Sequence, residues 1–525
     1  MIPNERPYPL RHLFPKFKDN YSVFMHFHSR GKVQVIRYSD VYHHSAAALE
    51  RISRQSSPRG KYGFICLKHS PDLIYSFFAC LLSGLTPCFI PYPNRKQDPD
   101  IYWEDQLHLL NAYGNGLIIT FDEVARHLAK KVSEAFTILN VDREYYGDFK
   151  ADKLPEMPEN LQILQHSSGT TSYKKGLVFQ EKALLSHIRS YSRALGISEN
   201  DKIATWLPLY HDMGLIATFL LPLYLSLEIV FLDPFEWVMQ PLTLARAMDE
   251  HKATLAWMPN FAFDHIAKRT RIVEGLDLSH VKCFINCSEP CKKETFENFH
   301  KKFESCGVEL KMLQCTFGMA EGIFAITQTE IGKEPKYIEH DEQYYVSQGK
   351  PIDGVELKIE RSTRDGCKGE ILIKSSFCVE KYTKSESRFI DEQGYYRSGD
   401  IGFIADGELY VCGRIKEVVI INGKNYFHND IEHMVNNLNC TKPGRTVSLS
   451  RYNQQSLSEE LFILTEGEDK ESIKDSIQAE IYNRLGLVAR RIIVVGHGKL
   501  IKTTSGKLSR KENIKLLNQV LNGSK

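Results

Sequence analysis

The chain has 525 residues, of which 42% are hydrophobic and 25% are charged, a composition typical of a globular protein rather than a disordered one. Its 67 Lys and Arg residues nearly balance its 65 Asp and Glu residues, which argues against a nucleic-acid protein whose affinity rests on phosphate neutralisation. This length predicts about three folding units. The segment from Met1 to Pro7 has no apolar signal core, so we expect a cytoplasmic protein.

The first half of the chain alternates apolar runs with helical patterns, as α/β layers do. The predicted elements are strands over Lys61–Leu67, Thr86–Ile90 and Leu161–His166, and helices over Leu73–Ser83 and Glu181–Leu195. Further strand signals lie at Thr254–Trp257, Val281–Ile285 and Glu309–Leu313. From Gly349 onward the chain has short strands and turn signals, with predicted strands over Gly354–Ile359, Gly369–Lys374 and Glu408–Val411.

One stretch, from Met213 to Leu232, is apolar except for Glu228 and is long enough to cross a bilayer. Pro222 and Glu228 disfavour a membrane span, and the flanks carry no basic anchors. We therefore predict a buried helix followed by a strand over Leu227–Leu232.

These patterns predict a multidomain α/β protein. Residues 1–415 form a large domain of layered sheets and helices, with a small β-rich subdomain at about 349–412. The boundary lies at Gly413–Glu417, and a small α+β domain over residues 416–525 follows. The 12 cysteines include no Cys-x-x-Cys pair, so we expect free buried thiols rather than a metal site.

A polar loop rich in Ser, Thr and Gly follows the predicted strand at Leu161–His166. It contains Ser167, Ser168, Gly169, Thr170, Thr171, Ser172, Tyr173, Lys174, Lys175 and Gly176. Backbone N–H groups and hydroxyls in such a loop can wrap a phosphate, with help from the following helix N-terminus. It is not a Walker loop, because no Gly-Lys-Ser/Thr ending occurs at the required spacing. Taken singly, the motif is also compatible with a plain surface loop.

Residue types downstream suit the rest of a nucleotide. The ring of Phe317 can stack on adenine, the hydroxyl of Thr316 can form a hydrogen bond, and Glu321 is a hard oxygen ligand for Mg²⁺. Asp400 follows a glycine in a tight turn, where its carboxylate can accept both ribose hydroxyls. Arg414 can add a fork of donors to ribose or phosphate.

Taken together, the ordered motifs resemble those of the adenylate-forming enzymes: acyl-CoA synthetases, fatty-acyl-AMP ligases, luciferases and peptide-synthetase adenylation domains. The motifs are the Ser167–Gly176 loop, Trp206–Gly214, Asn286–Pro290, Phe317–Glu321, Tyr396–Asp400, Gly413–Glu417 and Ile501–Arg510. The resemblance implies that a carboxylic acid is activated by ATP, with Mg²⁺, to acyl-AMP and pyrophosphate. Transfer to the thiol of CoA or of a carrier-protein phosphopantetheine would follow.

The resemblance also implies residue roles. Lys175 occupies the position of a phosphate-contacting lysine, and His211 the position of a histidine that gates the acyl pocket. Ser288 and Glu289 belong to the nucleotide-binding set. Lys416 stands at the hinge about which the small C-terminal domain moves. Lys507 stands at the position of the lysine that bridges the substrate carboxylate and the α-phosphate in the adenylation pose.

Within the family, Trp206–Gly214 and Pro259–Asp264 look most like the fatty-acyl-AMP ligase branch. The chain also departs from the family pattern: Ser172 replaces Gly, Lys174 replaces Pro, His428 replaces Pro, and Cys287 and Ser288 replace Gly-Ala. In addition, only residues 322–348 stand where that branch carries an insertion. The acceptor therefore stays open among CoA, a carrier protein and none. Aromatic and apolar candidates for the acyl pocket, or equally for the core, are Phe235, Trp237, Met239, Met258 and Phe261.

Two other functions remain open. An amino-acid adenylating enzyme would need a buried carboxylate for the α-ammonium, and Asp264 or Glu289 could supply it. A non-catalytic nucleotide-binding or carrier-docking module would be favoured by loss of Lys507, Asp400 or Glu321, but all three are present.

Overall fold

The computed structural model describes residues 7–54, 60–93, 99–142, 154–167, 175–270, 273–340, 343–361, 368–383, 388–421, 424–454, 458–468, 470–502 and 507–522. These residues form several sheets with helices packed against them. The α/β class predicted from the sequence is confirmed.

The elements of the N-terminal third precede the polar loop. They are α1 (Leu10–Leu13), β1 (Val23–Ser29), β2 (Lys32–Arg37), α2 (Tyr38–Arg54), β3 (Tyr62–Cys66), α3 (Asp72–Leu82), β4 (Thr86–Phe89), α4 (Pro99–Tyr113), β5 (Gly116–Thr120), α5 (Asp122–Leu128), β6 (Phe136–Asn140) and β7 (Gln162–His166).

The middle of the chain continues the α/β pattern. Its elements are β8 (Gly176–Gln180), α6 (Glu181–Ala194), β9 (Lys202–Thr205), a π-helix (Met213–Leu220), α7 (Leu221–Leu225), β10 (Glu228–Leu232), α8 (Pro234–Met239), α9 (Leu242–His251), β11 (Leu255–Met258), α10 (Asn260–Arg269), β12 (Cys283–Asn286), α11 (Lys293–Phe303) and β13 (Leu313–Cys315).

Short strands dominate the rest. They and the last helices are β14 (Thr327–Gln328), β15 (Tyr337–His340), β16 (Gln343–Val346), β17 (Lys350–Pro351), β18 (Val355–Arg361), β19 (Gly369–Ser375), β20 (Tyr396–Ala405), β21 (Glu408–Arg414), β22 (Val418–Ile421), β23 (Lys424–Phe427), α12 (His428–Asn436), β24 (Thr446–Asn453), β25 (Ser458–Glu466), α13 (Lys470–Leu485), β26 (Arg491–Val495) and α14 (Arg510–Asn522).

Two sheets of mainly parallel strands organise the large part of the molecule. The first has seven strands in the order β13-β12-β11-β9-β10-β1-β2, and only β1 and β2 run antiparallel. The second has four parallel strands in the order β4-β3-β5-β6. Because the carboxyl ends of parallel strands meet at one edge, the loops after β9, β11, β12 and β13 lie together there, where α/β proteins bind ligands.

Two smaller sheets follow. Strands β18-β19-β20-β21 form an antiparallel sheet, and β24-β25-β26 form a mixed sheet packed with α12, α13 and α14. A large core cluster runs from Leu10 to Phe377, whereas residues from Ile431 to Leu517 build two small cores of their own.

Helix α6 shows how the apolar spacing produces these layers. Its buried side chains include Leu184, Ile188 and Tyr191, three to four residues apart on one face. The buried ring of His187 lies on the same side and hydrogen-bonds the Ala325 carbonyl at 3.1 Å. This face attaches the helix to the segment that follows β13.

The apolar stretch Met213–Leu232 is buried in the protein, as predicted. It forms the π-helix, α7 with Pro222 in its first turn, and β10. Among the described residues, no helix has the length and apolar character required to cross a bilayer.

One predicted strand, Glu309–Leu313, is wrong over most of its length. Residues Leu310–Met312 form a 3₁₀ turn, closed by the Met312 N–H donating to the Glu309 carbonyl at 3.0 Å, and the strand begins only at Leu313. Glu309 and Leu310 lie outside the interior, so alternation alone gave a misleading signal.

The described cysteines are all free and mostly buried, which agrees with the expected buried thiols. Burial raises the pKa of the Cys283 thiol to about 12, so the thiolate that reacts or binds metal is scarce at neutral pH.

Candidate active site

The polar loop is closed at its two ends by a backbone hydrogen bond. Ser167 N–H donates to the Lys175 carbonyl at 2.9 Å, where β7 and β8 form an antiparallel pair. The predicted phosphate-binding residues between these ends lie outside the described residues: Ser168, Gly169, Thr170 and Thr171, together with Ser172 and Lys174. The structure thus fixes both ends of the loop next to the other predicted groups.

His211 lies beside the start of this loop. Gln165, in β7, donates its side-chain amide to the Tyr210 carbonyl at 3.0 Å. The His211 N–H bonds to the Pro208 carbonyl at 3.2 Å, and Asp212 accepts the Met213 N–H at 2.9 Å to cap the π-helix. The histidine therefore occupies a tight turn between β9 and a buried helix.

The segment after β13 presents Phe317 and Glu321. Phe317 is half-buried, whereas Thr316 is fully buried and its hydroxyl donates to the Thr327 carbonyl. Because the Thr316 hydroxyl already donates its hydrogen, a hydrogen bond between Thr316 and a nucleotide would have to use the hydroxyl oxygen as the acceptor. Glu321 accepts a hydrogen bond from the Tyr382 hydroxyl at 2.6 Å.

Asp400 and Arg414 face each other across β20 and β21. The Arg414 Nε donates to Asp400 Oδ1 at 3.0 Å. Burial raises the pKa of the Asp400 carboxyl to about 6, although the neighbouring guanidinium acts in the opposite direction. The pair can offer a carboxylate and a donor fork to the same sugar.

Lys507 reaches the large part of the molecule from the C-terminal segment. Its ammonium donates to the Ser288 carbonyl at 2.7 Å. A second contact, between Lys292 Nζ and Asp430 Oδ1, spans 2.7 Å and is largely buried. Both join the loop after β12 to the part of the chain that follows Lys416.

The neighbouring predicted residues differ in what they contact. Ser288 has a left-handed backbone with φ of 70°, which turns its carbonyl toward Lys507. Glu289 accepts the Phe261 N–H at 2.9 Å. Lys416 is exposed in the 3₁₀ turn Ile415–Glu417, away from these contacts but directly after β21.

Several of the charged candidate residues influence one another electrostatically. The Asp212 carboxyl, whose pKa is raised mainly by burial, is influenced by both Lys507 and Glu321. Asp400 and Arg414 are also influenced by Glu321. Glu321 thus lies within electrostatic range of Asp212, Asp400 and Arg414, and Lys507 lies within range of Asp212.

A family model described as AMP-binding enzyme matches residues 21–383, well over half of the chain. The chain belongs to this family of AMP-binding enzymes. The recognition of an adenylate-forming enzyme from the ordered motifs is therefore confirmed.

Curated relatives of this AMP-binding enzyme are similar over nearly their whole length. Medium-chain-fatty-acid–[acyl-carrier-protein] ligase JamA of Moorena producens is 25% identical over 543 aligned residues, covering 91% of this chain and 89% of the relative. Long-chain-fatty-acid–AMP ligase FadD32 of Mycolicibacterium smegmatis is 26% identical, with 89% and 86% covered.

Solved structures show the same fold. A structure from studies of fatty acyl-adenylate ligases from E. coli and L. pneumophila has a TM-score of 0.86 at 22% identity, covering 98% of this chain and 99% of that one. The McyG A-PCP structure complexed with phenylalanyl-adenylate has a TM-score of 0.87 at 20% identity, covering 98% and 84%.

The donor set at Glu321 fits a Mg²⁺ ion carried by a nucleotide. One carboxylate oxygen accepts from Tyr382, and no described group engages the other. No cluster of three His, Cys, Asp or Glu side chains suited to a metal occurs within the described ranges. Mg²⁺ is commonly held by one or two carboxylates together with substrate phosphates and water, which is the arrangement that a single glutamate permits.

A small, mainly apolar cleft lies beside the segment that leads to His211. It is lined by Leu67, His69, Leu73, Phe89, Ile90, Tyr92, Pro208, Leu209, Tyr210, Phe231 and Pro234. Sequence reasoning missed it, because its walls come from the ends of β3, β4 and β10, which are far apart in the chain. None of the acyl-pocket candidates is in this lining, although the ring of Phe235 packs against that of Tyr92 with centroids 5.8 Å apart. Trp237 and Met258 are buried in the core, and Met239 and Phe261 are 69% and 39% exposed.

Sequence reasoning also missed the side chains that support the site. Tyr382 contacts Glu321, Asn513 brackets the Lys507 turn, and Arg510 forms ion pairs with Glu417 and Glu432. Only Arg510 belongs to a motif that the sequence singles out. The others carry no local signal.

Proposed function

We propose that this AMP-binding enzyme activates a fatty acid, or another apolar carboxylic acid, and passes the acyl group to the phosphopantetheine thiol of a carrier protein. The observation that carries the proposal is the Lys507 ammonium, seated at 2.7 Å from the Ser288 carbonyl and within electrostatic range of Asp212. A cation in that place can bring together two anions, the acid and the α-phosphate of ATP, that otherwise repel each other.

In the first step a carboxylate oxygen of the acid attacks the α-phosphorus of ATP. A new P–O bond forms, the bond from the α-phosphorus to the bridging oxygen breaks, and pyrophosphate leaves. Lys507 would neutralise charge on the reacting oxygens, Asp400 and Arg414 would hold the ribose, and Lys175 would contact the leaving phosphates. A Mg²⁺ ion held by Glu321 would supply further charge neutralisation when bound.

In the second step the thiol sulfur attacks the acyl carbon, and the C–O bond to AMP breaks as the thiol loses its proton. We propose that residues 416–525 pivot at Lys416 between the steps, so that Lys507 withdraws and the thiol can approach. The two docking contacts, Lys507 with Ser288 and Lys292 with Asp430, fit the first pose.

The lining of the cleft beside Tyr210 favours an apolar acid over an amino acid. Asp264 accepts a hydrogen bond from Thr295 at 3.2 Å, and burial raises its pKa. Glu289 is engaged by the Phe261 N–H. These bonds occupy one oxygen of each carboxylate, so the preference for an apolar acid rests on the cleft beside Tyr210, which has no Asp or Glu in its lining.

The acceptor is proposed from the relatives. JamA is named as a ligase of a medium-chain fatty acid and an acyl-carrier protein, and FadD32 as a long-chain-fatty-acid–AMP ligase. The short segment 322–348 argues against a fatty-acyl-AMP ligase that rejects CoA, because that branch carries an insertion there. CoA is therefore the competing acceptor.

The test measures pyrophosphate release with Mg·ATP across a panel of fatty, aryl and amino acids. We expect a signal with fatty acids, and thioester formation when a phosphopantetheinylated carrier protein is added. A signal confined to amino acids would refute the assignment of the acid. Faster thioester formation with CoA than with carrier protein would refute the assignment of the acceptor while leaving acyl-AMP formation intact.

A further inference from the structure

Tyr382 contacts two groups of the site that are expected to meet the polyphosphate. Its hydroxyl donates to Glu321 Oε1 at 2.6 Å. The Lys175 ammonium lies 4.7 Å from the centre of the same ring, within the range of a cation–π interaction. One side chain therefore touches the candidate metal ligand with its hydroxyl and the candidate phosphate lysine with its ring.

The backbone on either side of Tyr382 is fixed to the same two elements. The Val379 N–H donates to the Glu321 carbonyl at 2.9 Å, and the Thr383 N–H donates to the Gly176 carbonyl at 2.8 Å. The approach at Gly176 is close, because an added Cβ would lie 2.4 Å from Thr383 Oγ1. Residues 379–383 thus form a short bridge between the Glu321 turn and the end of the polar loop.

The hydroxyl of Tyr382 stays a donor at neutral pH. Burial, followed by the negative charge of Glu321, raises the pKa of Tyr382 above its ordinary value. The neighbouring Tyr396, which precedes the Arg397–Asp400 turn, shares a hydrogen bond with it, and burial raises the pKa of Tyr396 as well. A protonated donor holds one oxygen of the Glu321 carboxylate and orients the other.

We propose that Tyr382 is a positioning residue for nucleotide-bound Mg²⁺, acting through the orientation of the Glu321 carboxylate while its ring holds Lys175 alongside. This rests on the proposed use of Mg·ATP at this site. Hydrogen-bond partners of metal-ligating carboxylates commonly change metal affinity by 10- to 100-fold when removed. The hydroxyl and the ring of Tyr382 can be separated by substitution, which makes their two contacts independently testable.

The decisive variant is Tyr382→Phe, which removes the hydroxyl and keeps the ring. Its matched control is Tyr395→Phe, because the Tyr395 hydroxyl also donates to a glutamate, Glu356, but away from the site. Calorimetry would measure the affinity for α,β-methylene-ATP with Mg²⁺ and again with EDTA. We expect Tyr382→Phe to weaken binding about 10-fold with Mg²⁺ and by less than about 2-fold with EDTA, and Tyr395→Phe to change neither.

A double-mutant cycle tests whether Tyr382 acts through Glu321. In a Glu321→Gln background, Tyr382→Phe should cause little further loss of Mg²⁺-dependent affinity. Equal weakening with and without Mg²⁺, or full additivity in the cycle, would overturn the proposal and leave Tyr382 a structural residue. If the wild-type enzyme bound the analogue no better with Mg²⁺ than with EDTA, the proposed use of Mg·ATP would itself be refuted.

Discussion

Lys507→Ala is the sharpest perturbation of the proposed chemistry. Among the described residues, the Lys507 ammonium makes one hydrogen bond, to the Ser288 carbonyl, at a solvent-accessible position. Loss of an exposed contact of this kind costs less than about 1 kcal/mol of stability. The melting temperature should therefore stay within about 2 °C of the wild-type value.

The expected effect on adenylation is far larger. Lys507 lies within electrostatic range of Asp212, and in the proposed mechanism it is the cation that brings the acid and the α-phosphate together. Removal of one preorganised electrostatic group from a transition state typically costs about 100- to 1,000-fold in rate, equivalent to about 3–4 kcal/mol. We expect a loss of this size in acid-dependent ATP–pyrophosphate exchange.

Two assays separate the half-reactions. ATP–pyrophosphate exchange reports acyl-AMP formation, and supplying preformed acyl-AMP with the thiol acceptor reports transfer alone. Lys507→Ala should lose the first and keep the second within about 3-fold, because the proposed pivot removes Lys507 before transfer. Lys499→Ala, an exposed lysine in the same C-terminal part, is the control. Exchange retained at near wild-type rate, or equal loss in both assays, would refute the role of Lys507.

Four further predictions use other parts of the site. Burial raises the pKa of Asp400 to about 6, and protonation of this carboxylate removes an acceptor for the ribose hydroxyls. Mg·ATP affinity should therefore fall about 10-fold per pH unit below that value, as measured by titration calorimetry at a series of pH values. Because this folded pKa lies above the unfolded one, Asp400 should also cost stability as the pH rises through about 6, and Asp400→Asn should flatten the thermal-unfolding profile there. Gly176→Ala should destabilise the fold by about 1–3 kcal/mol in denaturant unfolding, since its Cβ would lie 2.0 Å from the Tyr113 hydroxyl oxygen. Lys416→Pro should spare adenylation and block thioester formation, and equal damage to both would contradict the hinge.

Much of the architecture could be predicted from local patterns. The strands at Tyr62–Cys66, Thr86–Phe89 and Gln162–His166 follow apolar runs bounded by polar turns, and the structure has them within a residue or two of the predicted ends. The pattern failed at Glu309–Leu313, where a 3₁₀ turn closed by its own backbone replaces most of the strand. Strand order could not be predicted, because it depends on long-range pairing such as β10 against β1, about two hundred residues apart.

The candidate site was predictable where residue type and local turn define it. Asp400 after a glycine, Glu321 after a strand, and Lys507 in a polar turn are such cases. In the structure Glu321 lies within electrostatic range of Asp400, and both Glu321 and Lys507 lie within range of Asp212. Tyr382 was not predictable in this way. It lies in an unremarkable polar segment, and its role depends on two partners, Glu321 and Lys175, that only the tertiary fold brings to it.

Read from the sequence alone, the segment around Lys507 is a polar turn with no evident support. In the structure, Asn513 accepts the Ile501 N–H at 3.0 Å and donates to the carbonyls of Ile501 at 2.9 Å and Ser509 at 2.7 Å. Asn513 is fully buried, so these bonds are sheltered from water. The turn is thus clamped at both ends by a residue of α14.

Arg510 links this clamped turn to the hinge. Its guanidinium pairs with Glu417, one residue after Lys416, and with Glu432 in α12, both at 3.0 Å. Burial raises the pKa of Glu432 to about 7, and the Arg510 charge opposes that rise. Arg510 follows Ser509, to which Asn513 is bonded, and this largely buried arginine holds the start of α14 against Glu417 and α12. A pivot at Lys416 would therefore carry α12 and α14 together, and Lys507, three residues before Arg510, would move with them.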